Sequence, residues 1–328
     1  MTKLISSVSK RQVEFAAKGV VRGSGSAEIV RSKNISTKLS YQGNGWQQGT
    51  GGPYNCVFDG THFVGILSRG GGSGSSYSTN GLNWTNGGTN GISQWWDSSS
   101  PITDGKGTVL AVLDWQPLNA VRKSTDHGVT WSATADLPVA GGLNSIGYVN
   151  GDRWLANIGT TVFHSLDNCV SWQIIGTAPV SLANVTYGKG ILIGVTNSTT
   201  GYYSLDYGTT WTTCDTVAGR GQVVYSNKHG IFLAGQDWQG QVSYSYNARN
   251  WSAIDAWEAN ATYWGIVNDL LILYRGRIFD PSSISFKRFD SSIIPQAYGN
   301  GVYVRCAYGA NPQILSSISI INSRTITY

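Results

Sequence analysis

Two tripeptides of identical makeup, Asp114-Trp115-Gln116 and Asp237-Trp238-Gln239, each bring together a carboxylate, a broad aromatic face and an amide. Trp95 and Trp96 precede Asp97, Arg220 stands between two glycines, and Trp257 lies between Ala256 and Glu258. A loop tryptophan stacks on the apolar face of a pyranose while neighbouring polar groups take its hydroxyls. Trp95, Trp96, Asp114, Trp115, Gln116, Arg220, Asp237, Trp238, Gln239 and Trp257 are therefore the candidate ligand-binding residues, with a host cell-surface polysaccharide as the candidate ligand. The same rings could stack bases, but residues 41–328 carry fifteen basic and sixteen acidic groups and lack the basic groove that nucleic acid requires. The alternative is that these tryptophans are packing bulk within the fold. Asp97 paired with Asp114 or Asp237 would serve glycoside hydrolysis if the fold held the two carboxyls about 5–10 Å apart.

The frame for these loops is repetitive. Ser204-Leu205-Asp206-Tyr207-Gly208-Thr209-Thr210-Trp211 reads S-x-D-x-G-x-T-W, and Ser124–Trp131 repeats it without a mismatch. Ser165–Trp172 substitutes Cys169 for Gly and Ser171 for Thr, while Ser78–Trp84 and Ser245–Trp251 are one residue shorter, with Asn80 and Asn247 in place of Asp. Such periodicity is the signature of a repeat architecture. The Asp or Asn oxygen can bond backbone N–H groups just downstream and close a turn, Gly accepts a positive φ, and Trp offers a large face for packing.

The motif resembles the Asp-box, or BNR, repeat of sialidase-like β-propellers. That resemblance implies a propeller in which the motif lies between the third and fourth strands of each blade, away from the ligand face. Asn80, Asp126, Asp167, Asp206 and Asn247 are accordingly expected to be structural. The enzymes of that family use an arginine triad, an Asp and a Glu-assisted Tyr behind an F/Y-R-I-P motif. That motif is absent here: the nearest string, Ile29-Val30-Arg31-Ser32, lacks Pro, and Glu258 is the only Glu beyond residue 40. The resemblance thus points to a non-catalytic member.

A second turn signal alternates with the first: Asn, Asp and Gly between apolar runs, as in Phe58–Val64, Thr103–Val109, Tyr148–Trp154, Tyr187–Leu192, Ser226–Phe232, Val267–Leu271 and Tyr298–Tyr303. Interleaving the two gives a unit of four antiparallel strands, for example Ser145–Val149, Arg153–Ile158, Thr161–Ser165 and Ser171–Ile175. The expected fold is all-β, a seven-bladed propeller of four-stranded blades, with six blades as the alternative count. A strand from residues 35–41 is expected to pair with the last blade and close the ring. Both turn signals then lie on one face, and the tryptophan loops on the other.

Residues 1–40 carry eight basic residues against Glu14 and Glu28, a net of +6 against −1 for the rest, so the positive charge of the chain resides there. The expected division is a basic N-terminal arm over 1–40 and a propeller over 41–328, the arm either docking on an acidic surface or lying solvated. No stretch has the apolar length of a membrane span and Met1–Arg11 lacks an apolar signal region. An export-type composition without a signal suits a phage virion component released by lysis, with a cytoplasmic protein as the alternative. Cys56, Cys169, Cys214 and Cys306 form no C-x-x-C and the histidines are scattered, so no metal and no cofactor is expected. Cys56 and Cys306 would meet where first and last blades join, either as a disulfide or as two buried thiols. The function expected is a non-enzymatic virion attachment or structural component that binds other virion proteins through its arm and a host glycan through its aromatic face. The alternatives are a sialidase-like hydrolase or polysaccharide depolymerase, and an assembly scaffold with no glycan ligand.

Overall fold

The computed structural model describes residues 34–44, 47–49, 52–53, 55–67, 74–88, 101–112, 121–217, 221–235, 241–255, 264–267, 270–273, 277–280, 285–289, 296–307, 310–315 and 317–327. Every regular element among them is a strand, as suits a chain rich in aromatic and β-branched residues, poor in charge and supplied with Gly for tight turns. The chain forms two compact units, one spanning Tyr41–Ser319 and the other residues 1–40 with 320–328. In the smaller unit the described residues belong to two long strands, β1 (Asn34–Asn44) and β30 (Ser317–Thr327), which are neighbours in a sheet.

The larger unit is a series of antiparallel blades. The first comprises β3 (Asn55–Phe58), β4 (Phe63–Leu67), β5 (Gly74–Ser78) and β6 (Thr85–Asn86). The second comprises β7 (Ile102–Thr103), β8 (Val109–Val112), β9 (Val121–Ser124) and β10 (Ser132–Ala133). The third runs β11 (Ser145–Asn150), β12 (Arg153–Ile158), β13 (Thr161–Ser165) and β14 (Gln173–Thr177). The fourth runs β15 (Asn184–Gly188), β16 (Ile191–Val195), β17 (Gly201–Ser204) and β18 (Thr212–Thr213). The fifth is β19 (Gln222–Ser226), β20 (Ile231–Gly235), β21 (Gln241–Ser245) and β22 (Ser252–Asp255), and the sixth β23 (Trp264–Val267), β24 (Leu270–Leu273), β25 (Arg277–Asp280) and β26 (Ser285–Phe289). The last holds β27 (Ala297–Gly299), β28 (Val302–Ala307) and β29 (Ala310–Leu315), and takes its fourth strand from the other end of the chain: β2 (Gln47–Gln48) pairs antiparallel with β29, Gln47 opposite Ile314.

That pairing corrects one expectation. The strand that completes the last blade is Gln47–Gln48, whereas residues 35–41 lie in β1 beside β30. An open edge must be paired, and the two residues of β2 supply that pairing to β29. In the third blade the predicted strands stand within two residues of the observed ones; the fourth runs Gln173–Thr177 because Ser171 is still bonded into the turn through Asp167, and a register shift lies opposite Val162 and Phe163.

The core is a set of layers between blades. Val64 and Ile66 of the first blade pack with Val109 and Ala111 of the second, Leu110 and Val121 with Trp154 and Phe163 of the third, and Leu155 and Val162 with Val185 and Leu192 of the fourth. Ile193 and Val195 meet Phe232 and Ala234 of the fifth. Cys56 and Phe63 meet Val304, Cys306 and Ile314, which joins last blade to first. Cys56 and Cys306 are both free thiols there, and burial, with Cys56 adjacent, pushes the Cys306 thiol well above its ordinary range. Close approach at two seams requires glycine: a Cβ on Gly299 would stand 2.1 Å from the Phe58 ring, and one on Gly188 2.1 Å from Tyr225. Polar ties reinforce the seam between the third and fourth blades and that between the last and the first. Buried Asn157 accepts from Ser145 Oγ at 2.7 Å and donates to Leu182 O, while Ser145 Oγ accepts from Val185 N. Gln296 donates to Asn55 at 2.7 Å and accepts from Cys306 N.

Candidate functional site

The repeated turn is built from its own side chains. In Ser204–Trp211, Ser204 Oγ donates to Asp206 Oδ1 at 2.7 Å and accepts from Gly208 N at 2.7 Å. Asp206 Oδ1 also accepts from Thr210 N, and Oδ2 takes the Thr210 hydroxyl at 2.7 Å. Ser124, Asp126 and Thr130 reproduce this network, as do Ser165, Asp167 and Ser171. Side-chain and backbone donation from Ser171 and Thr210 holds the Asp167 and Asp206 carboxyls at a pKa of about 2.

The shorter copies show why they carry Asn. Asn80 Oδ1 accepts from Leu82 N and Asn83 N, and Asn247 Oδ1 from Arg249 N and Asn250 N. The long turn presents a hydroxyl to the second oxygen, so it uses a carboxylate; the short turn has Asn83 or Asn250 where that hydroxyl would stand, and one amide oxygen suffices.

Each turn also anchors the blade to the one before it. Trp84, Trp131, Trp172, Trp211 and Trp251 all pack in the layer shared with the preceding blade. In four of them the indole N–H donates to the carbonyl three residues back, at 2.9–3.1 Å. Burial of an indole face of this kind contributes roughly 2–3 kcal/mol. The residue between Asp and Gly adopts a positive φ in His127, Asn168 and Tyr207 (61°, 54° and 58°), and its side chain reaches the first-to-second-strand turn of the preceding blade. His127 Nδ1 is 2.7 Å from Asp59 Oδ2, Asn168 Nδ2 donates to Thr108 Oγ1 at 2.9 Å, and the Arg153 guanidinium lies 3.9 Å from the Tyr207 ring centroid. These contacts show the two kinds of turn sharing one face.

The first of these contacts is chemically distinct. Asp59 is fully buried. Its Oδ1 accepts from Thr61 N, Thr61 Oγ1 and His62 N at 2.8–3.1 Å, leaving Oδ2 toward His127. Burial opposes its charge, but the His62 amide, His127 and the Thr61 amide outweigh this and hold the carboxyl below its usual range. His62 and His127 stack at 4.1 Å between centroids. The ligand-capable atoms of Asp59, His62 and His127 all lie within 4.8 Å of one another. The histidines are scattered in the sequence, yet the fold joins Asp59 and His127 across 68 positions. The usable signal was topological: turns 58–64 and 124–131 belong to neighbouring blades and to the same face.

Asn80, Asp126, Asp167, Asp206 and Asn247 thus occupy turns. Trp95, Trp96, Asp97, Asp114, Trp115, Gln116, Arg220, Asp237, Trp238, Gln239, Trp257 and Glu258 lie outside the described residues, as does the basic segment before residue 34.

Fold and turn geometry define a β-propeller, and the comparison with solved structures agrees. The chain is similar to YCF48 bound to D1 peptide (12% identity, TM-score 0.56, covering 84% of this chain and 97% of that one). It is similar to YCF48 from Cyanidioschyzon merolae (11%, 0.54, 82% and 98%) and to virginiamycin B lyase from Staphylococcus aureus (11%, 0.60, 85% and 99%). At these identities the likeness concerns the fold. No family model matches the chain, and no curated protein matches it.

Proposed function

We propose that this chain is a non-enzymatic Asp-box propeller that works as a binding module, with its ligand surface opposite the repeated turns. The observation that carries the reading is the engagement of Asp126, Asp167 and Asp206, each of which commits both carboxylate oxygens within its own turn. Carboxylates held this way stabilise a turn and are poorly placed to exchange protons with a substrate. Binding then falls to the opposite loops, where Asp114-Trp115-Gln116 and Asp237-Trp238-Gln239 repeat one carbohydrate-compatible makeup. The setting we propose is a phage virion, in which the basic segment within residues 1–40 docks on an acidic neighbour and the aromatic loops meet a host surface polysaccharide. A propeller of similar fold solved with a bound peptide supports a protein partner as the alternative occupant of that face.

The test is a glycan array probed with the purified chain, paired with a reducing-end assay on capsular polysaccharides. Saturable glycan binding lost in Trp115→Ala and Trp238→Ala, with no reducing ends released, is the expected result. Release of reducing ends that disappears in Asp114→Asn would replace the reading with a hydrolase. Array silence combined with a stable protein complex would leave a scaffold. For the virion setting, deletion of residues 1–23 should prevent incorporation into particles while the propeller stays folded; normal incorporation would refute the arm's role.

A further inference from the structure

We infer that Asp59, His62 and His127 form a binding site for a divalent transition-metal ion of the zinc class, clasping the first and second blades. The inference is independent of the glycan reading, since the cluster lies on the face of the repeated turns.

The donor set is two imidazoles and one carboxylate, which suits zinc and its first-row neighbours rather than calcium or magnesium. Three protein ligands leave a fourth position for water or for the Thr61 hydroxyl, which already stands 2.9 Å from His62 Nδ1 and 3.3 Å from His127 Nδ1. The ligand atoms lie within 4.8 Å of one another. A tetrahedral ion with bonds of about 2.0–2.1 Å needs its ligands roughly 3.3–3.5 Å apart. Rotations of the two histidine rings would bring the ligand atoms to that spacing, and the His127 side chain is 35% exposed, which leaves room on its solvent side for one.

The carboxylate is prepared for the role. Asp59 is fully buried, so its charge demands a partner. The turn uses Oδ1, which fixes the group and leaves Oδ2 on the His127 imidazole. The turn backbone is held from both sides as well. Gly107 N of the second blade donates to Asp59 O at 2.7 Å, and Asn300 of the last blade donates to Thr61 O at 3.1 Å. Outer contacts of this kind orient metal ligands and raise affinity. His62 gains an edge contact from Tyr77, with ring centroids 6.2 Å apart.

The experiment uses the full chain, stripped with a chelator and titrated with zinc chloride by calorimetry, with cobalt chloride as an optical probe. One equivalent of zinc should bind, cobalt should give the visible bands of a tetrahedral site, and zinc should raise the melting temperature. His62→Ala should weaken binding on the order of tenfold or more, since even outer-shell losses cost that much. His127→Asn should do the same and should fold, because Asn168 occupies the equivalent position with the same backbone conformation. Absence of saturable binding by the wild-type chain would overturn the assignment. So would undiminished binding by the folded His62→Ala/His127→Asn double variant.

Discussion

Replacing Asp206 with alanine tests the physical account of the repeated turn. Asp206 accepts from Ser204 Oγ, Thr210 N and Thr210 Oγ1, a role like that of a helix-capping side chain, whose removal costs about 0.5–2 kcal/mol. The residue is exposed, so solvent recovers part of each lost bond and the lower half of that range applies, about 1 kcal/mol. Unfolding entropy near 2.1 cal/mol/K per residue over 328 residues is roughly 0.7 kcal/mol/K, so Tm should fall by about 1.5 °C per turn. Asp206→Asn keeps the Oδ1 acceptor and should cost about half as much. The effect has a pH signature. The folded pKa of about 2 lies below the ordinary carboxylate value, so the stabilisation is complete above about pH 4 and is lost as pH falls through about 2. Differential scanning calorimetry of wild type, Asp206→Ala and Asp206→Asn from pH 2 to 7 reads both quantities. Equal melting temperatures for wild type and the alanine variant at pH 6, or a gap that widens toward pH 2, would refute the reasoning.

Gly299→Ala should destabilise the seam between last and first blades by about 1–3 kcal/mol, because the new methyl would overlap the Phe58 ring; urea unfolding checks this, and Gly105→Ala, where a Cβ meets open space but φ is positive, gives the smaller, backbone-only comparison. Trp154→Ala should cost about 3–5 kcal/mol, since the side chain is fully buried and its indole N–H donates to Asn168 at 2.9 Å; Trp154→Phe, which keeps most of the packing, should lose clearly less in the same denaturation series. Native-state alkylation at pH 8 should leave Cys169 and Cys306 unmodified, because burial pushes the Cys169 thiol up to about 12 and the Cys306 thiol well above its ordinary value; mass spectrometry before and after urea should show both labelled only on unfolding.

The blade repeat was legible because its determinants are local. Alternation of S-x-D-x-G-x-T-W with Asn/Gly turns marks strand ends within a few residues of one another, and hairpin chemistry reports itself in sequence. The closing strand was misplaced because Gln47–Gln48 is two residues long and carries no apolar pattern. The Asp59–His127 contact was invisible to a search for ligand spacing, since the ring sets it and the chain does not. The role of Trp131 and Trp172 as pegs against the preceding blade was only half visible: the motif announces an aromatic, but which neighbour it meets depends on blade order. The expectation for Trp95, Trp115, Trp238 and Trp257 rests on composition alone, with no periodic signal behind it.

The variable position between Asp and Gly has a consequence for assembly of the chain. A protein made of near-copies is prone to docking its copies in the wrong order. Here His127 meets Asp59, Asn168 meets Thr108, and Tyr207 meets Arg153, three pairings of different chemistry at equivalent places. Exchanging two repeats would set Tyr207 against the buried Asp59 carboxylate, or His127 against the Arg153 guanidinium. The turn that makes the second, third and fourth blades alike therefore also carries, in its one variable side chain, a contact that differs from seam to seam and would be mismatched in a wrong order.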